Sequence, residues 1–170
     1  IVAKRAILAA GALERPIAFP GTDRPGVMLA SAVRSYVNRW GVAPGKKIVV
    51  FGNNDDAHRT AADLAAAGVQ VAALVDSRPD VTTLGNWPFY PGAEIVGTKY
   101  GWGRLRSVHV RQNDREFPVW TDCLAVSGGW NPAVHLTSHM NARPKWNDGI
   151  AAFVPGDGSV PGLYACGAAN

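Results

Sequence analysis

The chain has 170 residues, of which 47% are hydrophobic and 18% are charged, and its formal net charge is +4. This length suits one domain or a domain with part of another, and this composition excludes disorder as the main state. The basic residues are scattered without a long run, so nucleic acid is not indicated as a partner. No apolar stretch reaches the roughly 18 residues of a membrane span, so no membrane is expected as a partner either.

The beginning of the sequence and its cysteines bear on cellular context. The stretch from Ile1 to Leu8 lacks an initiator Met and the pattern of a signal peptide, which predicts a fragment of a longer protein. Cys123 and Cys166 are far apart and neither belongs to a Cys-x-x-Cys motif, as is typical of a reducing compartment. We therefore expect a cytoplasmic protein.

The first 41 residues contain signals for one strand and one helix. The apolar run from Ala6 to Ala10 leads into Gly11, which predicts a buried strand that enters a tight turn. Further on, apolar residues recur near helical spacing from Val27 to Trp40, and Gly41 follows them. This spacing predicts an amphipathic helix that ends at the glycine.

The next segment has the pattern of a βαβ unit. An apolar strand over 48–51 meets a turn at Gly52, a helical stretch covers 57–67, and a second apolar strand over 69–75 ends in Asp76. A strand, a helix and a strand within about 30 residues predict two parallel strands joined by a helical crossover.

Strand signals of another kind follow. Residues 77–103 are rich in Pro, Gly and aromatic side chains, which predicts loops and at most short strands. Polar and apolar residues alternate over 104–110, and 117–120 are a candidate antiparallel partner. The stretch 123–126 predicts another buried strand, and the apolar run that begins at Leu163 repeats its glycine-terminated pattern.

The turn after the first βαβ strand is a candidate phosphate site, because a helix N-terminus favours an anion. Asp76 lies 24 positions after Gly52, where an acid hydrogen-bonds an adenosine ribose and selects NAD over NADP. However, Asn54 replaces the second glycine of the usual motif, and Asp55 and Asp56 add negative charge. The alternative that this unit is structural, with its helix capped by its own side chains, therefore stays open.

Catalytic and metal sites are not predicted. His135 and His139 have the spacing of one helix face, but no Glu lies between them and no third ligand is evident. The six tryptophans are expected to pack against apolar groups.

Three glycine-terminated strands, over 6–12, 124–132 and 163–170, bracket the βαβ unit. This order resembles flavoproteins with two dinucleotide-binding domains, in which the second domain is inserted into the first. Longer strings are similar to the alpha subunits of heterotetrameric sarcosine oxidases. These strings occupy residues 11–16, 23–34, 53–55, 127–136 and 167–170.

The resemblance implies part of an enzyme that oxidatively demethylates sarcosine to glycine. The amine would be oxidised at a flavin of the beta subunit, an FMN would lie between the subunits, and the alpha subunit would bind NAD. FAD and FMN would thus belong to the wider complex, and the partners would be the beta and smaller subunits. The expected nucleotide contacts in this chain are Gly11, Ala12, Gly52, Asn54, Asp76, Gly128, Gly167 and Ala168.

The predicted fold class is α/β. A Rossmann-like, three-layer nucleotide-binding domain over 42–126 is expected to interrupt an incomplete FAD/NAD(P)-binding domain over 1–41 and 127–170, with a small antiparallel β unit. Two alternatives remain. The chain could belong to a related amine, opine or proline dehydrogenase, or it could be a scaffold domain that binds no nucleotide.

Overall fold

The computed structural model describes residues 3–139, 142–156 and 161–170. Its contacts divide the chain into two compact units, a central unit over 15–129 and a flanking unit over 1–14 and 130–170. The central unit contains the predicted inserted domain but also includes 15–41. The domain boundaries of the whole protein therefore stay a prediction.

The helices and strands follow one another along the chain. In order they are β1 (Ala6–Leu8), β2 (Ala12–Glu14), β3 (Val27–Leu29), α1 (Ala30–Trp40), β4 (Lys47–Gly52), α2 (Asp55–Ala66), β5 (Gln70–Asp76), β6 (Phe89–Pro91), β7 (Glu94–Gly101), β8 (Arg104–Gln112), β9 (Arg115–Trp120), β10 (Cys123–Ser127), β11 (Trp130–Pro132), β12 (Lys145–Asn147), β13 (Ala152–Val154) and β14 (Leu163–Ala165). A short 3-10 turn covers Gly167–Ala169.

A five-stranded parallel sheet forms the middle of the central unit, in the order β3-β10-β4-β5-β6. Side chains of β4 alternate between its two faces, as the pleat of a strand requires. Ile48 and Val50 pack with the helices α1 and α2, whereas Val49 and Phe51 pack with β7 and β8. The unit thus has three layers, with helices on one face of the parallel sheet and the antiparallel sheet β7-β8-β9 on the other.

The predicted βαβ unit is confirmed. Strands β4 and β5 pair in parallel, and α2 connects them and packs on both. The helix begins at Asp55, two residues before the predicted start, because the side chain of Asn54 accepts a hydrogen bond from the backbone N–H of Asp56. An N-cap of this kind determines where a helix begins.

The predicted helix over Val27 to Trp40 is correct at its end and wrong at its start. Val27–Leu29 form β3, which pairs in parallel with β10, and α1 begins only at Ala30. Apolar residues with extended geometry fit the sheet, so the tertiary pairing overrides the helical spacing. Gly41 ends α1 in the left-handed region with φ 64°, as the sequence predicted.

The expectation of loops and short strands over 77–103 is wrong in part. Glu94–Gly101 form an eight-residue strand that pairs with β8. Two register shifts, between Ile95 and Gly97 and between Lys99 and Tyr100, interrupt its period-two pattern and hide it in the sequence. The antiparallel pairing of the two later segments, β8 and β9, is confirmed.

The described residues of the flanking unit form three strand pairs. β1 and β14 pair in parallel, β2 pairs with β11, and β12 pairs with β13. The prediction that the first strand is buried is wrong for the described chain, since Ile7 is 74% exposed. A two-stranded pair covers little of either face of its strands, so its apolar side chains stay accessible.

The two helices of the central unit are short. Neither α1 nor α2, the α-helices of the described residues, is long and apolar enough to cross a membrane.

The packing of the hydrophobic core is tested at Leu124, which is fully buried in β10 between β3 and β4. Leu124→Ala should lower the free energy of unfolding by about 2–5 kcal/mol, because it leaves a cavity in a close-packed layer. Leu84→Ala is the matched control, since Leu84 is 106% exposed and its truncation should cost about 0.5 kcal/mol or less. Urea unfolding of the intact protein measures both, and equal losses would contradict the layered core.

Candidate functional site

The carboxyl ends of β4, β5 and β10 meet at one edge of the parallel sheet, which we call the central edge. Gly52 is in register with Asp76 on one side and with Ser127 on the other. Ligands of open α/β sheets bind outside the carboxyl ends of the strands. The structure therefore brings Gly52, Asn54 and Asp76 together where the sequence predicted.

Gly52 is required by close packing between β4 and α2. A Cβ added at Gly52 would lie 2.5 Å from the Cβ of Ala57 and 3.0 Å from the backbone oxygen of Ser127. The missing side chain lets the first turn of the helix approach the strand end. This is a structural reason for the glycine that needs no ligand.

The side chain of Asn54 fills the turn between β4 and α2. Its Oδ1 accepts the N–H of Asp56 at 3.0 Å, and its Nδ2 donates to the backbone oxygen of Ser127 at 3.0 Å. Ser127 is fully buried, and its hydroxyl lies 3.2 Å from the same Nδ2. The asparagine thus caps the helix N-terminus and connects it to the end of β10, which leaves less of that terminus for a phosphate.

The two acids of the first helical turn have cationic partners. Asp56 lies 3.1 Å from Arg59 and 3.8 Å from Arg34, while Asp55 lies 3.0 Å from Arg78. Their negative charge is therefore partly neutralised by side chains of the same unit. The repulsion that the sequence suggested is reduced without any ligand.

Asp76 is fully buried at the end of β5 and both of its carboxylate oxygens are engaged. Arg78 donates its backbone N–H and Nε to Oδ1 and its Nη2 to Oδ2, and Nε2 of His58 lies 2.8 Å from Oδ2. Burial raises the pKa of Asp76, but the hydrogen bonds from Arg78 and His58 outweigh it, so the pKa lies below its usual value. The carboxylate stays ionised and is occupied by protein donors.

A cavity of about 600 Å³ lies beside this cluster. Asp55, His58, Arg59 and Arg78 contribute polar groups to its wall, and Ala62, Trp87 and the segment 81–85 complete it. The indole Nε1 of Trp87 is buried without a hydrogen-bond partner among the described residues. The cavity therefore combines charged groups of both signs with an aromatic side chain, next to the candidate ribose acid.

Gly128 follows the central edge and holds the chain at 15–17. Its N–H donates to the backbone oxygen of Arg15 at 2.8 Å, and an added Cβ would lie 2.7 Å from that oxygen. The glycine lets two backbone segments approach closely. Its observed role is this packing.

A second edge lies in the flanking unit and contains Gly11, Ala12, Gly167 and Ala168, which we call the flanking edge. β1 and β14 are parallel, and the N–H of Cys166 donates to the backbone oxygen of Leu8 at 2.9 Å, so the residues after both strands share one edge. Gly11 and Gly167 both have positive φ, and a Cβ at either would meet no atom of the described residues within 4 Å. This edge has open space, in contrast to the Gly52 turn.

Two residues of the central edge were not predicted from the sequence. Arg78 and His58 were not assigned roles, although Arg78 follows Asp76 by two residues and His58 lies one helical turn from Asn54. Those spacings were the available signals. Among residues 3–139, 142–156 and 161–170, no group of three or more His, Cys, Asp or Glu side chains could hold a metal ion.

Comparison with known proteins shows which proteins this sequence is similar to. No protein-family model matches the chain. The alpha subunit of sarcosine oxidase from Rhizobium meliloti (strain 1021) is 44% identical over 171 residues, and that from Corynebacterium sp. (strain P-1) is 42% identical over 181 residues, each covering 99% of this chain. The chain is homologous to a segment of sarcosine oxidase alpha subunits. It spans only 17% and 18% of the length of these two relatives.

A more distant relative is an opine oxidase subunit of Rhizobium meliloti (strain 1021), 27% identical over 98% of this chain and 44% of its own length. Among solved structures, L-proline dehydrogenase from P. horikoshii superposes with a TM-score of 0.72 at 23% identity, covering 98% of this chain and 30% of that one. T. acidophilum thioredoxin reductase superposes with a TM-score of 0.73 at 16% identity, covering 98% and 58%. These likenesses confirm the predicted Rossmann-like α/β fold.

The packing role of Gly52 is tested by Gly52→Ala. The substitution should lower the free energy of unfolding by about 1–3 kcal/mol, because the new Cβ overlaps Ala57. Gly97→Ala is the matched control: an added Cβ there meets nothing within 4 Å, so stability should stay unchanged or rise by up to about 1 kcal/mol. Urea unfolding of both variants measures these changes in the free energy of unfolding. An unchanged stability of Gly52→Ala would contradict the close approach of α2 to the end of β4.

The hydrogen bonds that Arg78 and His58 make to the Asp76 carboxylate predict that the stability of the protein depends on pH. The folded pKa of Asp76 lies below the unfolded value of 3.8, so its contribution is fully present above that value and disappears as the pH falls through the folded pKa. Asp76→Asn should cost roughly 1–3 kcal/mol at neutral pH, and the difference from the wild type should shrink in acid below about pH 4.

The measurement is urea unfolding at several pH values from neutral to acid. Asp80→Asn is the control, since Asp80 is an exposed carboxylate. It should show no comparable loss at neutral pH. A constant difference between the wild type and Asp76→Asn across the acid range would contradict the assignment.

Proposed function

We propose that this chain is part of the NAD-binding alpha subunit of a sarcosine oxidase type of oxidoreductase. The supporting observation is the identity to sarcosine oxidase alpha subunits along nearly the whole chain. In this proposal sarcosine is demethylated oxidatively to glycine, and the partner beta subunit carries the flavin at which the amine is oxidised. FAD and FMN belong to the wider complex, and the beta and smaller subunits are the partners.

The chain itself would carry no catalytic group. Both carboxylate oxygens of Asp76 are taken by Arg78 and His58, so this acid has no free oxygen for a substrate proton. Burial and the charge of Asp122 raise the pKa of the Cys123 thiol to about 12, which excludes it as a nucleophile at neutral pH. The described residues instead supply rigid support and the edges of a nucleotide cleft.

We assign the NAD contacts of this chain chiefly to the flanking edge. The open space at Gly11 and Gly167 fits the close approach of a dinucleotide, because within the described part of the chain no atom lies within 4 Å of a Cβ added at either position. At the central edge, by contrast, Asn54 fills the turn and caps α2. The residues of the Gly52 turn therefore fit a bound pyrophosphate poorly, and their role in the proposal is structural.

A second candidate site is favoured by the cavity beside Asp76. Arg59 and Arg78 in its wall could bind phosphate groups in exchange for their acidic partners, and Trp87 offers an aromatic surface and an indole N–H that has no hydrogen-bond partner among the described residues. A nucleotide bound there would contact His58, Arg78 and Trp87, whereas the predicted contacts Gly52, Asn54 and Asp76 do not line the cavity. The two sites are separated by experiment below.

A second candidate enzyme is a related opine or proline dehydrogenase. The similarity to the opine oxidase subunit covers nearly the whole chain, although at lower identity than sarcosine oxidase. Turnover by the intact complex distinguishes them, with sarcosine, an opine and proline offered separately. The proposal requires sarcosine to give the highest kcat/KM, and a complex that does not oxidise sarcosine contradicts it.

The location of NAD is tested by two blocking variants of the intact alpha subunit. Ala168→Glu adds charge and bulk to the flanking edge, where Ala168 is exposed, and should weaken NAD binding at least about tenfold. Ala62→Trp fills the cavity from the exposed face of α2 and should leave NAD binding unchanged. Calorimetric titration of NAD, with NADP as a second ligand, measures both.

Matched controls separate local blocking from damage to the fold. Ala168→Ser keeps the size of the site and should bind NAD normally. Ala65→Trp places the same bulk on α2 at an exposed position outside the cavity. If Ala62→Trp abolishes NAD binding while Ala65→Trp and Ala168→Glu do not, the nucleotide belongs to the cavity and our assignment is wrong.

A further inference from the structure

A group of basic side chains lies at the opposite end of the parallel sheet from the central edge. We call it the basic patch and define it by Lys46, Lys47, Arg104, Arg106 and Trp120. These residues surround a shallow cavity of about 320 Å³, together with Leu105, Thr121 and Asp122. Because β4 runs from Lys47 to Gly52, the patch is roughly 16 Å along the strand from the Gly52 turn.

The backbone beneath the patch is held rigidly by hydrogen bonds. The carboxylate of Asp122 accepts the backbone N–H groups of Lys46 and Lys47, each at 2.9 Å. The hydroxyl oxygen of Thr121 lies 2.7 Å from the backbone oxygen of Lys47 and 2.6 Å from that of Cys123, so its one proton is shared between them. The backbone N–H of Thr121 donates to the backbone oxygen of Arg106 at 3.1 Å. Three segments of the chain are thus joined before any partner binds.

Gly45 makes this arrangement possible. A Cβ added there would lie 2.5 Å from Oδ1 of Asp122 and 2.8 Å from the Cβ of Cys123. The glycine therefore lets the carboxylate reach the backbone of the next two residues. Such preorganisation reduces the entropy that a surface loses when it binds.

The charge of the patch is not neutralised within the described residues. The ammonium groups of Lys46 and Lys47 and the guanidinium of Arg104 form no ion pair there, and the Nε of Arg106 donates to the backbone oxygen of Gly101. Among the described side chains that line the cavity, the one carboxylate is that of Asp122, which is already used by two backbone N–H groups. Four cations and one carboxylate therefore line the concavity, which keeps an excess of positive charge.

Exposed tryptophan accompanies these cations. Trp120 is 62% exposed in the patch, and Trp102, in the turn just before Arg104, is 94% exposed. Tryptophan and arginine are the residue types that most often dominate the energy of protein interfaces. An anion alone would use the cations but not the aromatic surface, whereas a protein partner with acidic side chains would use both.

We propose that the basic patch docks an acidic surface of a partner subunit in the assembled enzyme. The assignment of that partner as a subunit rests on the proposed function. Complementary charge steers association and determines the register of two surfaces, so the patch should act mainly on the rate of assembly.

The test uses purified partner subunits together with the intact alpha subunit. At low salt, Lys46→Glu combined with Arg104→Glu should lower the affinity of the alpha subunit for the partner subunits at least about tenfold, mainly through a slower association rate. High salt should reduce the difference between this variant and the wild type. The doubly neutralised variant, Lys46→Gln with Arg104→Gln, should lose affinity to an intermediate extent. Lys99→Glu is the control, since Lys99 is an exposed cation of β7 outside the patch, and it should assemble almost normally.

Two results would overturn the proposal. One is equal assembly of the charge-reversed variant and the Lys99→Glu control. The other is a lower melting temperature of the isolated alpha subunit for the charge-reversed variant alone, which would mean that another part of the same polypeptide covers the patch. Sarcosine turnover is measured separately on the wild-type complex, so its absence would reject the proposed function while assembly still decides the docking surface.

Discussion

The hydrogen bonds of Asn54 connect the parts of the central unit on which the candidate site depends. Its amide oxygen caps α2 by accepting the backbone N–H of Asp56, and its amide nitrogen donates to the backbone oxygen of Ser127 at the end of β10. The same turn passes over Gly52, where the absence of a side chain allows contact with Ala57. Helix, strand end and neighbouring strand are therefore held by one residue that stands where a nucleotide-binding turn would have a second glycine.

In the folded chain, arginine side chains neutralise part of the negative charge around the turn. In the sequence, Asp55 and Asp56 argue against a phosphate, whereas in the structure arginines from α1, α2 and the segment after β5 pair with them. Asp76 is likewise satisfied by protein donors. Protein groups alone satisfy these charges, which is why we propose a structural role for the central edge and assign nucleotide binding to the flanking edge.

Much of the central unit could be predicted from its sequence because its signals are local. The strand over 48–51, the helix after Gly52 and the alternation from Arg104 each carry their own periodicity, and all three are observed. Val27–Leu29 could not be assigned correctly, since their strand depends on pairing with β10, nearly a hundred residues away. β7 was missed because its two register shifts disturb the alternation that identifies a strand.

In the candidate site, too, the features with a local sequence signal could be predicted and those that depend on tertiary contacts could not. Spacing alone placed Gly52, Asn54 and Asp76 at one edge, because parallel strands end together. The partners of Asp76 depend on side-chain direction, so Arg78 and His58 were not predicted. The basic patch was also missed, since Lys46, Arg104 and Trp120 are distant in sequence and meet only when β4, β8 and β9 are folded.

Hydrogen–deuterium exchange of the intact alpha subunit, with and without saturating NAD, tests the central claim most directly. The account predicts slower exchange in peptides that cover Gly11 and Gly167, and unchanged exchange over 52–60, because Asn54 already protects that turn. Slower exchange confined to 52–60 and the neighbourhood of Asp76 would contradict it. That result would assign the nucleotide to the central edge and make Asn54 a ligand contact instead of a structural cap.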